Sequence, residues 1–316
     1  MMKATLAGEA ELQQYASGGR AVAAPVAIRS RLADYLELTK PRIAVMALFT
    51  VAAGYWLGAG SEATTRVLLN TLLGAGLVAA GGSALNQVFE RRTDARMRRT
   101  ANRPLPAGRV SPEQAAVFGA VTSGIGLAYL MATVPPAATI AAALTLVSYA
   151  LIYTPLKTVT QWNTVIGAVP GALPPVIGWC AAQGWDGAGG ATALFLILFV
   201  WQLPHFLAIA WMYRADYAGA GLQMLPGTDS TGKRTAVVMV VTAAALIPVA
   251  FVAVWVGMAG WVYAVGATLL GVMFVRKTLD FARDRSDRQA RRVLRASLVY
   301  LPGVLALLLI DALLLK

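Results

Sequence analysis

Apolar runs of about twenty residues, each closed by a polar or charged cluster, recur from end to end of this chain. An α-helix rises 1.5 Å per residue, so a run of that length crosses the hydrocarbon core of a bilayer. The pattern predicts nine spans, at roughly 43–60, 67–88, 113–132, 137–153, 164–182, 191–211, 235–255, 258–275 and 294–314. No polar break is long enough to hold a second folded unit, and no strong internal repeat is visible. The expected fold is therefore an all-α polytopic membrane bundle, one transmembrane domain over 31–316 behind a mobile tail at 1–30.

Composition agrees. Hydrophobic residues make up 58% of the 316 and charged residues only 13%, against about a quarter in soluble domains. The net charge of +12 could point to nucleic acid, but the placement of the basic residues excludes it. Counted by side, the N-terminal tail and the breaks after spans two, four, six and eight hold all of the 27 Lys and Arg except Arg66 and Lys316. The positive-inside rule then puts the N-terminus and those breaks in the cytoplasm and the C-terminus in the periplasm. The lone cysteine, Cys180, lies inside a span, which leaves no disulfide framework and no thiolate metal site. Residues 21–28 form too weak an apolar core for a signal peptide, and no transit-type leader is evident, so a bacterial inner membrane is expected.

Four constellations carry candidate chemistry. Asn86, Glu90 and Asp94 follow one another at intervals of four where span two ends. A step of four advances about 40° around a helix, so the three side chains form one stripe. They are followed by Arg99 and Arg103. A carboxamide and two carboxylates suit a hard cation such as Mg²⁺ completed by substrate phosphates, and arginines clamp phosphate oxygens; ion pairing on a solvated juxtamembrane helix is the plain alternative. Asp216, in Asp216-Tyr217-Ala218-Gly219 beyond span six, shares the same side by parity of the spans; it also reads as an ordinary turn.

The third constellation is His205, the single histidine, within Trp201-Gln202-Leu203-Pro204-His205-Phe206 of span six. An ionisable group at membrane depth is a functional candidate, and imidazole ligates iron; a core histidine bonded to a neighbouring helix competes with that reading. The fourth is Tyr153-Thr154-Pro155-Leu156-Lys157, where Lys157 could reach a diphosphate or merely set topology. Beyond it, Gly167, Gly171 and Gly178 allow either close helix packing or room for a flat ligand. Asp280 and Asp284 are also four apart, but interleaved arginines mark a solvated, salt-bridged helix.

These strings together resemble the UbiA-type intramembrane prenyltransferases, and within them the heme branch. The resemblance runs from about Leu38 to Pro226. The Asn-x3-acid-x3-Asp element is common to the superfamily. Met97…Arg99-Thr100…Asn102-Arg103-Pro104-Leu105-Pro106…Gly108-Arg109, Pro204-His205-Phe206 and Asp216-Tyr217…Met224-Leu225-Pro226 are closer to the heme branch. Glu90 stands where many members have Asp, Ala220 where other branches have a second Asp, and Thr158 where an Arg is usual; the run Gly227–Lys233 is also atypical.

The resemblance implies farnesyl transfer from farnesyl diphosphate to a vinyl group of heme B with addition of water, giving heme O for terminal oxidases. It implies Mg²⁺ held by Asn86, Glu90, Asp94 and Asp216, and diphosphate bound by Arg99, Arg103, Lys157 and Tyr153. His205 would bind heme, and Tyr149, Tyr153 or Phe206 would face the allylic cation, beneath a cap of the 2–3 and 6–7 loops. The lipid bilayer is the surrounding partner and a heme A synthase a candidate one. An aromatic acceptor, or a heme-binding transporter or scaffold without chemistry, are the competing functions.

Overall fold

A computed structural model describes residues 30–314, so the expected tail lies outside the described residues up to position 29. Among the described residues nine helices are long and apolar enough to cross a membrane: Pro41–Glu62, Thr65–Asp94, Pro112–Thr133, Pro136–Leu156, Asn163–Gln183, Ala188–Met212, Lys233–Trp255, Trp261–Arg283 and Asp287–Leu314. They are numbered spans 1 to 9. Each expected span is present. Span 2 continues through the whole Asn86–Asp94 stripe, span 8 runs on to Arg283 and span 9 starts at Asp287. Backbone hydrogen bonding continues where the apolar run has stopped, so charged turns extend the helices beyond the hydrocarbon.

From Asp34 onward the chain forms one compact unit. Its apolar core has two main parts. One joins spans 1 to 5 through Val51, Tyr55, Val78, Leu130, Ala138 and Ile177. The other joins spans 6 to 9, with parts of spans 1 and 5, around Ile197, Met239, Tyr263, Phe274 and Tyr300.

Close approach of backbones sets the packing. A Cβ on Gly178 would lie 1.9 Å from the Val51 carbonyl oxygen, and one on Gly54 would lie 2.0 Å from that of Pro175, so spans 1 and 5 touch backbone to backbone. A Cβ on Gly167 would meet the Tyr153 ring at 2.4 Å, and one on Gly171 would meet Gln202 Oε1 at 1.9 Å. All three span-5 glycines therefore serve packing, and room for a flat ligand is not what they provide.

Buried polar groups are spent on helix ends. Asp229 Oδ2 accepts from the Thr235 amide at 2.8 Å and its hydroxyl at 2.9 Å, capping the start of span 7. Those bonds give a structural role to part of the atypical run 227–233. The Asp311 carboxylate, buried in span 9, accepts from the Gly260 amide at the start of span 8. Trp56, Trp185, Trp255 and Trp261 are exposed at the span ends opposite the basic breaks, as an aromatic belt requires.

Candidate active site

The acid stripe lies where span 2 meets the end of span 4. Asn86 is fully buried; its Oδ1 accepts from Lys40 Nζ at 2.5 Å and its Nδ2 donates to Thr154 Oγ1 at 2.9 Å. Glu90 pairs with Lys157 Nζ at 2.5 Å, and Asp94 Oδ2 pairs with Arg103 Nη1 at 2.6 Å. Sequence reading missed Lys40. It stands directly before Pro41 and is the single non-glycine residue with positive φ (49°) among the described residues. The following proline disfavours the right-handed helical region, and the contact with buried Asn86 holds the left-handed alternative.

Span 4 reaches the site through a wider, π-helical turn over Val147–Tyr153, in which the Thr154 amide donates to the Tyr149 carbonyl. Pro155 has no amide hydrogen to continue an ordinary helix, and the wider turn accommodates it. The turn stacks Tyr149 on Tyr153, with ring centroids 6.1 Å apart, and sets the Lys157 ammonium 4.4 Å from the Tyr153 ring centre. Phe206 packs instead against His205.

Electrostatics follow from this crowding. Burial, only partly offset by Glu90, lowers the Lys40 pKa to about 8. Burial works the same way on Lys157, but Tyr153 and then Glu90 outweigh it and raise its pKa. Asp94 Oδ1 is buried without a hydrogen-bond partner. An orphaned carboxylate oxygen beside Asn86 and Glu90 is a donor set that fits a hard cation.

The 2–3 and 6–7 loops pack on each other. Met97 meets Ala220, Leu222 and Met224 in one apolar cluster, with Tyr217 against it. Arg99 lies 5.4 Å from the Tyr213 ring centre. The Gln223 amide donates to the Lys157 carbonyl at 2.8 Å, tying the 6–7 loop to the end of span 4. Arg109 clamps the 2–3 loop to the helix before span 1 through Asp34 at 2.7 Å and Glu37 at 3.2 Å.

Asp216 belongs to the 6–7 loop. It is half-buried on the short helix Arg214–Gly219 and makes no side-chain hydrogen bond or ion pair among the described residues. Its neighbour Tyr217 packs against the cluster around Met97 and Met224, and burial raises its hydroxyl pKa. Nor do three or more His, Cys, Asp or Glu gather into a metal cluster among the described residues. Glu90 and Asp94 are each paired with a cationic side chain, and Asp216 is carried on the 6–7 loop.

His205 faces span 9. Its Nδ1 lies 2.7 Å from Ser297 Oγ, and that hydroxyl donates to the Leu294 carbonyl at 2.6 Å. Serine has one hydrogen to give, so the imidazole hydrogen sits on Nδ1 and the Nε2 lone pair is bare. Trp201 stacks on the ring at 4.8 Å and donates to the Ser297 carbonyl at 2.8 Å. Sequence spacing carries no signal for Ser297, which is 92 residues away from His205. Asp280 pairs with Lys277 and Arg283 on the surface, as its interleaving predicts.

The family model described as the UbiA prenyltransferase family matches residues 47–300. A protoheme IX farnesyltransferase of Solibacter usitatus is 45% identical over 291 residues, covering 88% of this chain and 98% of the relative. One of Salinibacter ruber is 46% identical over 278 residues with the same coverage. A solved structure of digeranylgeranylglyceryl phosphate synthase has a TM-score of 0.75 at 18% identity, covering 89% of this chain and 98% of that one. A UbiA homologue from Archaeoglobus fulgidus bound to GPP and Mg²⁺ has a TM-score of 0.61 at 17% identity, covering 87% and 99%. With the family model spanning most of its length, the chain belongs to the UbiA prenyltransferase family.

Proposed function

We propose that this protein transfers a farnesyl group from farnesyl diphosphate to a vinyl group of heme B, with addition of water, giving heme O and diphosphate. The reaction class rests on one observation: Lys40, Arg103 and Lys157 converge on Asn86, Glu90 and Asp94 at the membrane edge. Three cations against two acids leave a surplus of positive charge suited to a polyanion. The acceptor and prenyl group rest on the relatives named protoheme IX farnesyltransferase.

Asn86, Glu90 and Asp94 would hold Mg²⁺, with Asp216 the acid of the 6–7 loop available to join them. The metal would supply charge neutralisation at the diphosphate. Arg103, Lys157 and Arg99 bind the diphosphate oxygens and stabilise charge as the C1–O bond breaks and its electron pair leaves with the diphosphate. Tyr149 and Tyr153 present ring faces to the allylic cation. The heme vinyl π pair forms the new C–C bond; water adds to the resulting cation and loses a proton. The packed 2–3 and 6–7 loops keep water from the first cation.

The decisive experiment supplies purified protein with farnesyl diphosphate and heme B, with and without Mg²⁺, and weighs the product. A hydroxyethylfarnesyl heme formed only with Mg²⁺ is expected; intact heme B in both arms would end the proposal.

His205 is proposed as the heme ligand through its bare Nε2, oriented by Ser297. His205→Ala should weaken heme binding more than farnesyl diphosphate binding. Ser297→Ala should shift the heme absorption bands, and Ser297→Thr should restore them. Unchanged affinities and spectra in all three variants leave His205 a packing residue.

The proposed setting is a bacterial inner membrane, with the N-terminus cytoplasmic and the C-terminus periplasmic. Cysteines introduced in the 2–3 and 6–7 loops should both label from the cytoplasmic side; labelling from opposite sides would refute the shared site.

A further inference from the structure

Arg288, Arg291, Arg292 and Arg295 are exposed at the start of span 9 and alone line a hollow of about 460 Å³. Spacings of three, four and seven put them on one helix face. Topology requires basic residues on this side, but it does not require a shared face.

The nearby acids are engaged elsewhere. Asp280 pairs with Lys277 and Arg283, Asp284 accepts from Ser286 and Gln289, and Asp287 pairs with Arg214. Arg288, Arg291 and Arg295 have no side-chain partner among the described residues, and Arg292 meets only the Gln289 amide oxygen, at 3.2 Å. Like charges this close repel, and an anion among them relieves the repulsion. One turn further along the same face come Leu298 and Val299, apolar and more than half exposed. Guanidinium groups giving way to hydrocarbon within one turn match the outline of a phospholipid, not of a free anion.

We propose that this face of span 9 binds an anionic phospholipid, with the phosphate among Arg288, Arg291, Arg292 and Arg295 and the acyl chains along Leu298 and Val299.

Full-length protein is tested by native mass spectrometry in detergent with phosphatidylglycerol or phosphatidylcholine added. The wild type should retain phosphatidylglycerol and not phosphatidylcholine. The Arg→Gln change at all four positions should lose it, by on the order of fivefold per arginine. The same change at Arg234, Arg276, Arg283 and Arg285, equal in charge, should retain it. Should the quadruple variant fail to insert, Arg288→Gln/Arg292→Gln and Arg291→Gln/Arg295→Gln are measured instead. Equal retention by stripe and control variants overturns the proposal. So does displacement of the lipid by inorganic diphosphate at equal concentration, which marks a free-anion site.

Discussion

Asp94→Asn is expected to lower heme O formation by on the order of a hundredfold to a thousandfold while the protein still reaches the membrane in normal amount. The substitution keeps the shape of the side chain and an acceptor for Arg103, so the helix end is preserved. What it removes is the negative charge at a site that is 1% exposed. That charge holds Arg103 at 2.6 Å and leaves Oδ1 orphaned, the feature that most directly indicates a bound cation. Asp280→Asn is the matched control, since Asp280 lies in a surface ion-pair cluster. The measurement is heme O by mass in membranes of matched protein content. Near-native turnover in Asp94→Asn would falsify the metal-site assignment.

Gly178→Ala should destabilise the protein far more than Gly124→Ala, although the chemical change is the same. The Cβ at position 178 would sit 1.9 Å from the Val51 carbonyl oxygen, whereas at 124 nothing lies within 4 Å. Backbone cannot turn aside as a side chain can, so spans 1 and 5 must separate. Span 5 is also packed against spans 4 and 6, and the strain spreads. Overpacking of this kind costs about 1–3 kcal/mol, with a backbone clash at the upper end. At 124 the change improves helix propensity by up to about 1 kcal/mol. Thermal unfolding of the two detergent-purified variants checks this. Equal midpoints would show that spans 1 and 5 do not touch as described.

The stripe of Asn86, Glu90 and Asp94 is legible because it is local: period four on one helix puts three side chains together whatever the rest of the chain does. Its partners are not local. Lys40 lies 46 residues before Asn86, and Lys157 lies 67 after Glu90; loop parity places them on one side without saying which acid each meets. The widened turn over Val147–Tyr153 is likewise invisible to hydropathy, because its residues are as apolar as those of an ordinary helix.

Nine spans, a shared side for the polar breaks and the family strings can all be read without coordinates, because hydrophobic length, basic-residue bias and short motifs are properties of consecutive residues. Three further features emerge only from the folded chain. Tyr217 packs against the cluster around Met97 and Met224, the span-5 glycines are filled by neighbouring helices, and His205 Nδ1 meets Ser297 Oγ at 2.7 Å. Each of these depends on the rotation of one helix about its axis against another. That rotation is set by packing among distant segments, on which local spacing has no hold.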